Sequence, residues 1–247
     1  MEKEKANITV QSTEKGLANV IVTHLDKPAH MYEPLPKRIE IDGSLQVVPE
    51  FLTKRGTDAP AKESRIEVDR EAGKITLLTL DTHPYAGGTV QGCLTFSEIF
   101  TKFKINEPSH SRKPIEMAQL FKMSRFYFPD LNENMTLVSA LTSFEAKVDQ
   151  HIEKARKENG SMKDNFSAVV YTNLPPSFSL TMPIFKGTEP ETFEVEFYAT
   201  INGREVSLSL ISPGANMAAQ KVISTAIDDT IKQIREINPD MAILLIS

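Results

Sequence analysis

Apolar and polar positions alternate with a period of two over four neighbouring stretches: FSAVVYTNL (166–174), SFSLTMPIF (177–185), ETFEVEFYATI (191–201) and REVSLSLIS (204–212). Alternation of this kind sends successive side chains to opposite faces of a strand. The links between the stretches are Pro-Pro, KGTEP and Asn202-Gly203. Such links are too short for a crossover, so the run is predicted to be an antiparallel meander. Asn-Gly is the strongest hairpin signal in the chain, because a type I′ turn needs positive φ at both positions. Pro183 falls inside the second stretch and carries no N–H. That stretch is therefore predicted to be bent or partly unpaired near Pro183.

Upstream, SRIEVDR (64–70) alternates Ile66 and Val68 with charged residues, turns through Gly73, and continues as ITLLTLDTH (75–83). This reads as a second hairpin, broken after residue 83 by Gly87 and Gly88. NVIVTHL (19–25) and RIEI (38–41) read as further short strands, and VVPEFLTKR (47–55) as a turn or two of helix.

Helical spacing dominates elsewhere. Phe96, Ile99, Phe100 and Phe103 share a face over 94–103. Met117, Leu120, Phe121 and Ser124 do so over 114–128, with Pro114 in the first turn. A longer helix over 135–158 carries Leu141, Phe144, Val148, Ile152 and Ala155, and Gly160 suits its C-terminal cap. The most regular stripe runs from Ala219 to Ile234 through Val222, Ile223, Ala226, Ile227, Thr230 and Ile231. Asp228 and Lys232 are spaced to pair on its exposed side. A ridge this apolar has to be covered, by the chain or by another copy of it. The same holds for AILLIS (242–247), which reads as a strand in a sheet or an interface.

These elements predict an α+β fold: an antiparallel meander sheet packed by several helices. The 64–83 hairpin either extends that sheet or forms a second small one. Residues 1–20 read as a polar arm and 21–247 as one domain, with 130–160 as an alternative sub-boundary.

Composition narrows the functional classes. The chain has 247 residues, a net charge of −5, one cysteine and no tryptophan. A mildly acidic balance predicts solubility and no broad nucleic-acid footprint. Cys93 alone excludes an intrachain disulfide and a multi-cysteine zinc site, and reads as a small buried hydrophobe rather than a reactive thiol. The polar start MEKEKANITV lacks the apolar region of a secretory signal, and no window is apolar for about 20 residues, as a bilayer span requires. A cytoplasmic protein with no membrane partner is expected. Walker, GxGxxG and GxSxG motifs are absent, so no cofactor is expected.

Three sets of residues carry candidate chemistry. Asp81 and His83, two apart at a strand end, share a face; they read either as an acid–base or metal pair or as a hydrogen-bonded pair pinning the strand. Glu145, Asp149 and Glu153 form an acidic row that reads as a solvated helix face. Lys102, Lys104, Arg112, Lys113, Lys122 and Arg125 outweigh Glu107 and Glu116 within 101–125, and Phe100, Phe103, Phe121, Phe126 and Tyr127 are interleaved with them. Cations alternating with aromatic rings bind single-stranded nucleic acid. The phenylalanines on predicted apolar faces read as core.

The text PPSFSLTMPIFKG, carried by Leu174, Pro175, Ser177, Phe178, Leu180, Pro183, Phe185, Lys186 and Gly187, resembles the YfdQ-like prophage family, a domain of unknown function. LDTH (80–83), AQLFKMSRFYFPD (118–130) and LTSFEAKVD (141–149) fit the same order, so the resemblance spans roughly residues 35 to 212. It implies a phage or prophage origin and assigns no catalytic residue. The expected function is a non-enzymatic protein that self-assembles into a homo-oligomer through Val222, Ile223, Ile227, Ile231, Ile243, Leu244 and Leu245. The alternatives are a nucleic-acid-associated accessory of phage recombination or counter-defence, and a metal-dependent enzyme centred on Asp81 and His83.

Overall fold

The computed structural model describes residues 38–81, 86–158, 174–202 and 205–246; side chains at 145–158, 201, 202 and 205 fall outside that description. Lys37–Ser247 forms one compact unit. The polar arm over 1–20, the 19–25 stretch, the Gly160 cap and the Asn202-Gly203 turn geometry lie outside the described residues. So do most of the 166–174 stretch and the side chains of the 145–153 acidic row.

The fold is α+β, with two sheets. The predicted meander is present as β5 (Ser177–Pro183), β6 (Pro190–Asn202) and β7 (Glu205–Ile211), all antiparallel. Leu180 faces Phe193 and Ala199 faces Leu208. Pro183 is the last residue of β5, and its register partner is Pro190. Neither residue has an N–H to give, so the ladder ends there. The chain turns away and Ile184 and Lys186 pair instead with 95–97: Ser97 N donates to Ile184 O at 2.8 Å and Lys186 N to Thr95 O at 2.8 Å.

The upstream hairpin does not extend the meander. It forms the centre of a larger mixed sheet in the order β1-β4-β3-β2-β8. Here β1 is Glu40–Gly43, β2 Arg65–Asp69, β3 Lys74–Thr79, β4 Gly88–Cys93 and β8 Ala242–Leu245. The β2–β3 and β3–β4 pairs are antiparallel, whereas β1–β4 and β2–β8 are parallel. Ile66, Val68, Ile75, Leu77 and Val90 are fully buried on one face of this sheet.

Strand β4 begins at Gly88, one of the two glycines expected to break the chain, and carries a second glycine at Gly92. Both have a packing reason. A Cβ on Gly88 would lie 2.7 Å from Ile39 Cβ, and one on Gly92 would lie 2.8 Å from Leu45 Cα. The backbone entering and leaving β1 crosses β4 so closely that only glycine fits.

Helix α1 (Val47–Arg55) packs on α5 (Pro213–Ile237) and against β3 and β4, burying Val48, Phe51 and Leu52. Helix α2 (Glu98–Phe103) starts later than its spacing predicts, because Ser97 caps it by accepting from Phe100 N at 3.1 Å. Phe96 therefore lies outside the helix, stacked on Phe185 with ring centroids 4.9 Å apart. Helices α3 (Pro114–Met123) and α4 (Leu131–Glu158) form a hairpin, with α3 also against β7. Met117, Leu120, Phe121 and Ser124 are all buried, as their shared face predicts. Phe121 sits at the centre of an aromatic cluster with Phe103, Phe128, Phe178 and Phe197. Asp228, expected to pair with Lys232, instead accepts from Arg70 at 2.6 Å and ties α5 to the β2–β3 turn.

Candidate functional site

The apolar ridge on α5 needs no partner. Ile223, Ile227, Thr230 and Ile234 are buried in the chain's own core, and Val222, Ala226 and Ile231 pack against it. Ile223 and Ile227 are thus removed from the expected oligomer interface. Their stripe is consumed on the inner side of α5.

The tail is different. Asn238 N donates to Ile234 O at 2.8 Å and closes α5; Met241 then buries its side chain, and the chain enters β8. Ile243 and Leu245 stand in register with Ile66 and Val68 of β2. They belong to the sheet face that those residues bury, yet Ile243 is half-buried and Leu245 is 63% exposed. Leu244, on the other face, is 46% exposed, and Ile246 is 58% exposed. Among the described residues β8 has a neighbour on one side only.

The hydrogen bonds define that open side. Ile246 N donates to Val68 O at 3.0 Å. In a parallel ladder alternate residues turn their backbone groups to the neighbour, so those of Ile243 and Leu245 point away from β2. Edge strands of stable monomers are commonly blunted by charge, proline or a bulge. From Ala242 to Ile246 this strand has no charged residue and no proline.

The opposite edge of the sheet is β1. Its Glu40 and Asp42 are exposed, and Arg38 lies 3.8 Å from the Glu40 carboxylate. The open side of β7 is covered: Arg112 N donates to Leu208 O at 2.9 Å, Leu208 N returns a bond to Arg112 O at 2.8 Å, and Asn106 N donates to Leu210 O at 2.9 Å.

Asp81 lies at the end of β3, where Leu80 adopts a left-handed φ of 47°. Leu80 N donates to Ser64 Oγ at 3.1 Å and Asp81 N to Glu63 O at 2.8 Å. The Asp81 carboxylate accepts from Arg65, whose guanidinium also bonds Glu67 at 3.0 Å. These carboxylates, Glu67 first and then Asp81, hold the Arg65 guanidinium above its usual range although partial desolvation opposes them. Asp81 thus pins the strand end through Arg65. His83 lies outside the described residues.

The basic residues fall into two groups. At one end of α3, Lys104 pairs with Glu107 at 3.1 Å, and Glu107 also meets His110 Nδ1 at 3.0 Å. Arg112 donates to the carbonyls of Lys102 at 2.7 Å and Phe103 at 3.3 Å, while Lys102 and Lys113 are exposed. Lys122 and Arg125 stand at the other end, about 13 Å away along the helix axis. There the Arg125 guanidinium lies 5.1 Å from the centroid of the Phe126 ring, which is 81% exposed. Phe103 and Phe121 are buried in the core, Phe100 and Tyr127 are half-buried, and Phe126 alone of the five interleaved rings is exposed.

Cys93 is half-buried at the end of β4. An open groove of about 280 Å³ between α1 and α5, with Glu50, Lys54, Gln233 and Glu236 on its walls, had no local signal, since it arises only where the two helices meet. Glu50 and Lys54 neutralise each other there at 3.3 Å. No described helix is long and apolar enough to cross a membrane. No family model, curated protein or solved structure compared with the chain matches it.

Proposed function

We propose that the chain is a non-enzymatic protein, phage- or prophage-encoded, that acts as a homo-oligomer. The observation that carries the assembly reading is β8: an uncharged strand at a sheet edge with Leu244, Leu245 and Ile246 exposed together. Exposed apolar side chains beside unpaired backbone groups favour strand addition by another chain. The resemblance of PPSFSLTMPIFKG to YfdQ-like proteins supports the origin. The engagement of Asp81 by Arg65 supports a structural rather than catalytic use of that carboxylate.

Size-exclusion chromatography with light scattering at micromolar concentration tests the assembly. The wild-type chain is expected to exceed its monomer mass, and Leu245→Lys to return it to the monomer with an unchanged far-ultraviolet spectrum. A monomeric wild type would remove the reading.

A second reading, single-strand nucleic-acid binding, is favoured by one observation: Arg125 and exposed Phe126 form a cation–aromatic pair with Lys122 exposed nearby.

A further inference from the structure

The two edges of the five-stranded sheet differ in chemistry, and that difference selects a mode of assembly. Head-to-tail growth would pair β8 of one copy with β1 of the next and generate a ring or an open filament. Two-fold growth would pair β8 with β8 and close as a dimer. In the first case the aliphatic side chains of β8 would be laid beside Glu40 and Asp42, whose carboxylates would lose water without gaining a partner. In the second, uncharged strand meets uncharged strand.

Resting on the self-assembly reading above, we infer that the partner of β8 is β8 of a second copy, antiparallel about a two-fold axis at Leu244. This register is the one that overlaps the whole uncharged segment, matching residue 242 with 246 of the other copy. It also leaves Asp240 beyond the paired region. The groups that point away from β2 are those of Ile243 and Leu245, and the register sets each against the other. Every such pair exchanges both of its backbone hydrogen bonds, as the narrow pairs of an antiparallel ladder do. Their side chains extend the apolar face of Ile66 and Val68 across the axis. Leu244 meets its own symmetry mate at a non-hydrogen-bonded position, where Cα atoms approach to about 4.5 Å. Two five-stranded sheets become one continuous sheet.

Cysteine cross-linking of the full-length chain in a Cys93→Ala background tests the register. The Leu244 position is within disulfide reach of its mate, so Leu244→Cys is expected to run as a covalent dimer under mild oxidation. Ile243→Cys, displaced from its mate, is expected to stay largely monomeric. A Leu244→Cys chain that assembles by light scattering yet never cross-links overturns the two-fold pairing and leaves self-assembly standing. Ladders beyond the dimer in a Leu244→Cys/Asp42→Cys chain overturn it in favour of head-to-tail growth. A wild-type monomer overturns both readings.

Hydrogen exchange of the wild-type chain gives a second readout that needs no substitution. The Ile243 and Leu245 amides are expected to be protected in the dimer and to label at least tenfold faster on dilution to monomer. Rapid labelling of both amides in the assembled protein overturns the pairing.

Discussion

Gly92 of β4 lies against the chain that leaves β1: a Cβ built on it would stand 2.8 Å from Leu45 Cα and 2.8 Å from Ser44 O. Both are backbone atoms and cannot swing aside. Gly92→Ala is therefore expected to destabilise the fold by about 1–3 kcal/mol, the range for overpacking a close contact. Gly56 is the control. It has a helical φ of −58° and nothing within 4 Å of an added Cβ. Gly56→Ala is expected to stabilise by roughly 0.5 kcal/mol through the unfolded chain. Urea unfolding of the two variants measures the difference directly.

Phe121 and Phe126 are five residues apart in sequence and opposite in environment. Phe121 is fully buried, with the Phe128 and Phe178 centroids each 5.1 Å from its own. Phe121→Ala is expected to cost about 3–5 kcal/mol, the sum of lost transfer energy and the cavity left behind. Phe126→Ala is expected to change stability by less than about 0.5 kcal/mol, as exposed substitutions do. Equal losses in denaturant midpoint would show that the hairpin between α3 and α4 packs differently.

How far the sequence exposed this architecture depends on how local each signal was. The meander was legible because alternation, short links and Pro183 all concern neighbouring residues. The α5 ridge was legible as apolar but not as to what covers it, since Ile223 and Ile227 bury against elements distant in sequence. The β4 strand was hidden because Gly88 and Gly92 serve a contact with 39 and 44–45, which no local pattern encodes. The candidate nucleic-acid residues looked like one patch in sequence, yet α3 separates Lys113 from Lys122 and Arg112 is spent on backbone carbonyls. AILLIS was legible as a strand. Its place at an edge, where its side chains stay exposed, followed only from the order of strands in the sheet.

Ser212 joins the two layers at the start of α5. Its Oγ accepts from Ala215 N at 3.0 Å and donates to Glu194 O of β6. Asn106, itself at a left-handed φ of 62°, clamps the same residue: Ser212 N donates to Asn106 Oδ1 at 2.8 Å and Asn106 Nδ2 to Ser212 O at 2.8 Å. Ser212→Ala removes a helix cap and leaves the Glu194 carbonyl short of a donor, with an expected loss of about 1–2 kcal/mol. Asn106→Gly keeps the left-handed backbone accessible while deleting the clamp and the Nδ2 bond to Asn216 Oδ1 at 2.8 Å, so its loss reflects those hydrogen bonds and the freer unfolded glycine rather than left-handed strain. Thermal unfolding of both variants should rank each clearly below the wild type.

The nucleic-acid reading now rests on Lys122, Arg125 and Phe126 rather than on all six cations. Two contributions are separable there. The cations act through counterion release, so Lys122→Glu with Arg125→Glu should weaken single-stranded DNA binding and flatten its dependence on salt. The ring acts by stacking, worth about 1–3 kcal/mol per base, so Phe126→Ala should weaken binding while leaving the salt slope unchanged. Fluorescence anisotropy with a labelled oligonucleotide across a salt series distinguishes them. Reversing Lys104, which is paired with Glu107, should matter less than reversing Arg125. If the wild-type chain shows no binding at about 50 mM salt, where electrostatic contacts are strongest, the exposed ring has no such partner and the second reading fails.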